Sequence, residues 1–181
     1  MRSFEKCIMK NRSLIRFIQL LGISFILGFY ACDENIEYSP IPAITYKSCT
    51  VIDSVDILGN SKLYVKLLFS IIDGDGDMGL SENDTIAPYV DEYQNNFFST
   101  VFYVTDGGYD STEISDYNYR IPYIEIENHR AYKAEVTVEF EYFENQLQGD
   151  SIAYQFYVVD RSLNHSDTLM TPGIALTVAT P

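Results

Sequence analysis

The chain has no tryptophan, 2 histidines, 3 cysteines, and only 12 Lys+Arg against 26 Asp+Glu in its 181 residues. Each shortage excludes something. The two histidines, His129 and His165, stand apart in polar, loop-like settings and read as solvated side chains, not as a shared metal site or catalytic base. No G-x-S-x-G nucleophile motif is present either, so the sequence points away from an enzyme. The lack of Trp weakens any sugar-stacking platform. The deficit of basic residues makes nucleic acid a poor partner and leaves cations and basic protein surfaces as the natural electrostatic ones. No stretch reaches the about 20 apolar residues that a membrane-spanning helix needs.

What is present is most informative near the start. Five basic residues, Arg2, Lys6, Lys10, Arg12 and Arg16, precede an apolar run from Phe17 to Tyr30. The run is about 14 residues, too short to span a bilayer of roughly 30 Å but suited to the core of a secretion signal. Gly28-Phe29-Tyr30-Ala31-Cys32 resembles a lipobox, with Cys32 as the lipid-attachment site and residues 1–31 as the signal peptide removed before it. Met9 would make a more typical start than Met1. Asp33-Glu34 resembles the export signal that sends Bacteroidetes-type lipoproteins to the outer face of the outer membrane. The expectation is a mature chain tethered to the outer membrane by lipid and exposed at the cell surface.

Removing residues 1–31 takes away five basic residues and one acidic residue, leaving 7 against 25 and a net charge near −18. That charge does not imply disorder, because 15 Tyr and 11 Phe supply ample apolar area for a core. Cys7 leaves with the leader and Cys32 takes lipid. Cys49 then stands alone, which excludes an intramolecular disulfide and reads as a small buried hydrophobe.

Residues 32–43, with Pro40 and Pro42, read as the lipidated cysteine and a flexible tether; residues 44–181 read as one domain. Within it, Ala131 to Phe143 alternates with period two. Tyr132, Ala134, Val136, Val138, Phe140 and Tyr142 fall on one face; Lys133, Glu135, Thr137, Glu139 and Glu141 fall on the other, which predicts a half-buried strand. Leu63–Ile72, Phe97–Thr105 and Ile152–Val159 are apolar on both faces and suit central strands. Thr45–Leu58, Arg120–Glu127 and Gly173–Val178 are weaker strand candidates, and no amphipathic helix stands out. About seven strands predict a single all-β, antiparallel β-sandwich of immunoglobulin or fibronectin-III kind. Its two long connections are expected at about 73–95 and 106–119.

The segment Asp73-Gly74-Asp75-Gly76-Asp77-Met78-Gly79-Leu80-Ser81-Glu82-Asn83-Asp84 carries the clearest chemistry. Carboxylates at alternate positions, separated by glycine, converge on one small volume, and a hard cation that prefers six to eight oxygens relieves their repulsion. The candidate ligands are Asp73, Asp75, Asp77, Gly79, Ser81 and Asp84, the last at the twelfth position, where an EF-hand has its bidentate Glu. Flanking helices are not expected, so this is a calcium-loop pattern on a β-protein, with affinity expected at roughly 10⁻⁴–10⁻³ M. Asp160 could approach the same ion from a neighbouring strand end, or cap its own turn. Three acids spaced for one cation make a poor separated acid and nucleophile for glycoside hydrolysis.

The stretch Leu68 to Leu80 resembles the F-x-D-G-D-G-D-I-G-L segment of uncharacterised Bacteroidetes lipoproteins. Ile121-Pro122-Tyr123-Ile124 resembles their I-P-Y strand, and Tyr157 to Ser166 their closing D-R-A-G-N-x-S turn, with Leu163 in place of the usual Gly. The resemblance implies a sandwich fold and surface attachment, and no known activity. The expected function is a non-catalytic binding or accessory subunit of a cell-envelope assembly, with an envelope protein as partner. The alternative is a stand-alone surface module that binds a glycan or other ligand through Tyr89, Tyr93, Tyr103, Tyr109, Tyr117, Tyr119 and Tyr123; a purely structural spacer is a third reading.

Overall fold

A computed structural model describes residues 37–112, 116–125, 131–143, 146–147 and 149–176. The signal peptide, Cys32, Asp33-Glu34 and His129 lie outside the described residues. The strands are β1 (Ala43–Val55), β2 (Ser61–Asp73), β3 (Phe97–Thr105), β4 (Gly108–Ser111), β5 (Tyr117–Tyr119), β6 (Tyr132–Phe143), β7 (Ser151–Val158), β8 (Leu169–Met170) and β9 (Ile174–Ala175). Asp91–Gln94 forms a 3-10 turn, and there is no α-helix among the described residues. The protein is all-β, as expected.

One sheet has the order β1-β2-β6, and the other runs β4-β3-β7-β8, with β5 also on β3 and β9 also on β7. Every pairing of strands is antiparallel. β7 takes one edge of β3 along Phe97–Tyr103. β4 and β5 share the other edge, opposite Phe102–Thr105 and Phe97–Ser99. In the same way β8 and β9 share the outer edge of β7. Counting each broken edge once, the sandwich is three strand lines over four, which accounts for the seven that the sequence implies.

Alternation places the core. β2 turns Val65, Leu67, Phe69 and Ile71 inward, β6 Val138, Phe140 and Tyr142, β3 Phe97 and Val101, and β7 Ile152, Tyr154, Phe156 and Val158. Rings join the two sheets: Phe69 packs on Phe97 and Phe156 at centroid distances of 5.6 and 5.2 Å, and Phe140 stacks on Tyr154 at 4.3 Å. Two tyrosine hydroxyls, Tyr142 and Tyr154, satisfy each other deep in this core at 2.7 Å, and burial pushes both phenols well above their ordinary range. The outer face of β2 and β6 carries the charges, with Lys66 paired to Glu139 at 2.8 Å and Lys62 to Glu141.

Three expectations are corrected. β1 is a full strand, not a weak one. An extra residue, Lys47, bulges between the pairs Tyr46–Phe69 and Ser48–Leu68, so the inward set shifts from Ile44 and Tyr46 to Cys49 and Val51. The 106–119 connection is largely β4 and β5. Residues 120–125 form no strand: beyond the single bridge Leu80–Pro122, the Asn96 side chain takes the strand partner's place, accepting from Ile121 N–H at 2.6 Å and donating to its carbonyl at 3.2 Å. Residues 126–127 of that expected strand lie outside the described residues.

Candidate metal centre

The inward row of β2, Val65-Leu67-Phe69-Ile71, runs one step further and ends on Asp73, which is 0% exposed. The inward row of β7, Ile152-Tyr154-Phe156-Val158, likewise runs on to Asp160, 2% exposed. Period-two geometry thus aims a carboxylate inward at the end of one core strand in each sheet. The loop after β2 supplies two more. Gly76, at φ +76, turns the chain where a side chain would be strained, and the Asp77 N–H donates to Asp73 Oδ2 at 3.0 Å. Met78 and Leu80 are buried and pin the loop to the core.

The result brings Asp73, Asp75, Asp77 and Asp160 together: one carboxylate oxygen from each lies within 4.8 Å of the other three. Neighbours orient the group. Ser162 Oγ donates to Asp77 Oδ2 at 2.7 Å, and Asn164 donates its backbone N–H and its side-chain amide to the two oxygens of Asp160 at 2.7 and 2.8 Å. Asp160 therefore both caps its turn and joins the cluster. The turn itself places Leu163 at φ +64, the left-handed region that a Gly would enter without strain. Asp73 Oδ1 and Asp77 Oδ1 are buried and accept no hydrogen bond, and among the described residues no ion pair reaches any of the four carboxylates.

Burial, followed by the charges of Asp75, Asp77 and Asp160, pushes the Asp73 carboxyl up to about 7. Burial also raises Asp160, partly offset by its bonds from Asn164. Two buried carboxyls that resist ionisation, Asp73 and Asp160, beside two buried oxygens without donors, are chemically suited to a hard cation bound through oxygen alone.

The other expected ligands are elsewhere. Asp84 is not in the cluster: Arg161 grips both of its oxygens and the Ser81 N–H donates to it at 2.7 Å. Burial works against that carboxylate, but Ser81 and Arg161 hold it below its ordinary range. The Arg161 guanidinium lies over the rings of Tyr89 and Tyr123, 5.4 and 5.0 Å from their centroids. Ser81 serves this pair. Gly79, at φ +97, is where the loop passes the 120–125 segment; a Cβ there would sit 2.5 Å from the Pro122 carbonyl oxygen. The twelfth-position analogy fails because a guanidinium from the turn after β7 reaches Asp84 first.

None of the comparisons with known proteins finds a match. No family model, no curated protein and no solved structure matches the chain.

Of the tyrosines expected at the loops, Tyr103, Tyr117 and Tyr119 pack against the core, and Tyr89 and Tyr123 flank Arg161. Tyr109 is half exposed. Tyr93 meets His165 edge-on at 6.1 Å, and His165 stacks on Tyr157, which stacks on Phe98, at 5.5 and 5.0 Å. Three rings of this row, Phe98, Tyr157 and His165, are not among the tyrosines that the sequence offers as a platform. Cys49 packs against the core, and burial pushes its thiol up to about 11.

Proposed function

We propose that this chain is a surface lipoprotein of Bacteroidetes type, anchored through Cys32, whose sandwich is a non-catalytic binding or accessory subunit of an outer-membrane assembly and holds a calcium ion between its sheets. The observation that carries the ion is the convergence of four carboxylates around the unpartnered Asp73 Oδ1. Four protein carboxylates within 4.8 Å of one another are the all-oxygen donor set that calcium takes, whereas magnesium usually keeps several waters and takes one or two carboxylates. Convergence on one point also supports a non-catalytic role, since a glycosidase pair needs its carboxyls about 5–9.5 Å apart around a sugar.

Radiolabelled palmitate supplied to cells tests the anchor: the wild-type chain takes up label and Cys32→Ser does not. Label on both, or on neither, overturns the lipid reading. Calorimetry of the detergent-purified chain tests the ion; one calcium per chain is expected, and no heat at millimolar calcium overturns it.

A second reading, a glycan- or ligand-binding module, draws on the Phe98–Tyr157–His165–Tyr93 ring row. Tyr157→Ala would then abolish glycan-array binding while leaving the melting temperature nearly unchanged.

A further inference from the structure

The chain enters the sandwich across the acidic loop. The Gly74 N–H donates to the Ser39 carbonyl at 2.8 Å, and the approach is so close that a Cβ on Gly74 would lie 2.3 Å from the Tyr38 oxygen and 2.5 Å from that of Ser39. Asn164 Nδ2 reaches the Pro40 carbonyl at 3.4 Å while also holding Asp160. On the far side, Lys133 Nζ donates to the Tyr38 hydroxyl at 2.7 Å and lies 4.1 Å from the centre of its ring. Residues 38–40 thus form a strap, gripped at two points that belong to the carboxylate cluster. Gly74 is the link between Asp73 and Asp75, and Asn164 is the hydrogen-bond partner of Asp160.

We propose that occupancy of the metal centre latches this strap, so that the entry segment next to the membrane tether is docked when the ion is bound and released when it is not. This rests on the metal-centre reading above. The mechanism is electrostatic. Without an ion, four carboxylates within 4.8 Å repel one another, and the strain falls on Gly74 and Asn164, the groups that hold the strap. With an ion, the same carboxylates converge and fix both. Release would add residues 38–42 to the tether, up to about 3.5 Å of reach for each. Linkage makes the effect reciprocal: what the ion does for the strap, the strap does for ion affinity by the same factor.

The test is hydrogen exchange of the full chain in detergent, with calcium or with chelator, alongside calorimetry of calcium binding. The expected result is at least about tenfold slower exchange at Gly74 and across 38–43 in calcium, with exchange in β3 and β7 unchanged. Tyr38→Ala removes the Lys133 contacts without touching a carboxylate. It should keep one calcium per chain, weaken its affinity about three- to tenfold, and lose most of the strap protection. Asp160→Asn should lose both binding and protection. Calcium bound at full affinity with equal exchange at Gly74 in both conditions overturns the latch and leaves the metal centre standing. No calcium binding by the wild-type chain overturns both.

Discussion

Asp73→Asn should make the ion-free domain more stable and, at the same time, deaf to calcium. The carboxyl is buried, one of its oxygens has no donor, and three other carboxylates face it. Held up to about 7 against an ordinary 3.8, it costs the folded state at most about 4 kcal/mol once ionised. An amide carries no charge, still accepts from the Asp77 N–H, and offers its NH₂ to a neighbouring carboxylate. The expected gain is about 2–4 kcal/mol at about pH 8 in chelator, or about 5–10 °C in melting temperature for a domain of this size. The pH profile has a definite sign. Between about pH 4 and 7 the folded wild-type chain keeps a proton that the unfolded chain has released, so ion-free stability falls as pH rises through that window. The variant should lose that slope. Calcium at about 5 mM should stabilise the wild type by about 1–2 kcal/mol if the dissociation constant is roughly 10⁻⁴–10⁻³ M, and the variant hardly at all. Thermal melts followed by circular dichroism at about pH 5 and pH 8, with calcium or chelator, read every arm. An Asp73→Asn variant that melts at or below the wild type at pH 8 in chelator would refute the reasoning, as would one that keeps the calcium shift.

Other variants probe the same framework. Asp84→Asn should retain calcium binding by calorimetry yet lose about 1–3 kcal/mol of stability, because Arg161 loses a charged partner; loss of calcium binding would return Asp84 to the ligand set. Tyr142→Phe strands the Tyr154 hydroxyl and should cost about 1–3 kcal/mol in urea melts. The Tyr142→Phe/Tyr154→Phe pair should cost less than the two single changes added together. Gly79→Ala must hold φ +97 and collide with the Pro122 carbonyl, so a loss greater than about 1 kcal/mol is expected. The Cys49 thiol, held up to about 11, should react with a thiol reagent at about pH 8 on the order of 100-fold slower than in the urea-unfolded chain; equal rates would contradict its burial.

The strands legible in the sequence are those whose environment repeats with the backbone. β6 has one face in the core and one in water, and its alternation appears residue by residue. β2, β3 and β7 are the inner strands and show as apolar runs. β1 was faint because the bulge at Lys47 moves its inward residues from even to odd positions, which erases a period-two signal across the whole strand. β4 was invisible because all four of its residues are exposed. β8 and β9 were blurred because two residues carry no period, and neighbouring tertiary bonds, Thr171 Oγ1 accepting from Tyr154 N–H and Leu176 N–H donating to Asp150, secure this edge. At the site, Asp73, Asp75 and Asp77 could be read from local spacing. The fate of Asp84 could not, since its partner Arg161 arrives from beyond β7. Asp160 had a readable signal: it continues the inward count of Ile152, Tyr154, Phe156 and Val158 by one step.

That continuation bears on why the cluster is built as it is. A domain selected for stability alone would end two facing core rows on apolar side chains, and here both end on carboxylates, at a cost that shows in the raised Asp73 and its unpartnered oxygen. Sandwiches of the immunoglobulin kind often tie their two sheets with a disulfide between the second strand and a late strand of the other sheet. This chain, with Cys49 alone in the described domain, has no such option. Asp73 closes the second strand of one sheet and Asp160 follows β7 of the other, so an ion between them joins the same pair of layers from residues far apart in sequence. Closing so long a loop removes more unfolded-state entropy than a local contact can. Unlike a disulfide, the link would strengthen and weaken with the concentration of the ion around it. On this argument an ion held by the four carboxylates would be an inter-sheet tie, and their cost without it is what would make the tie responsive.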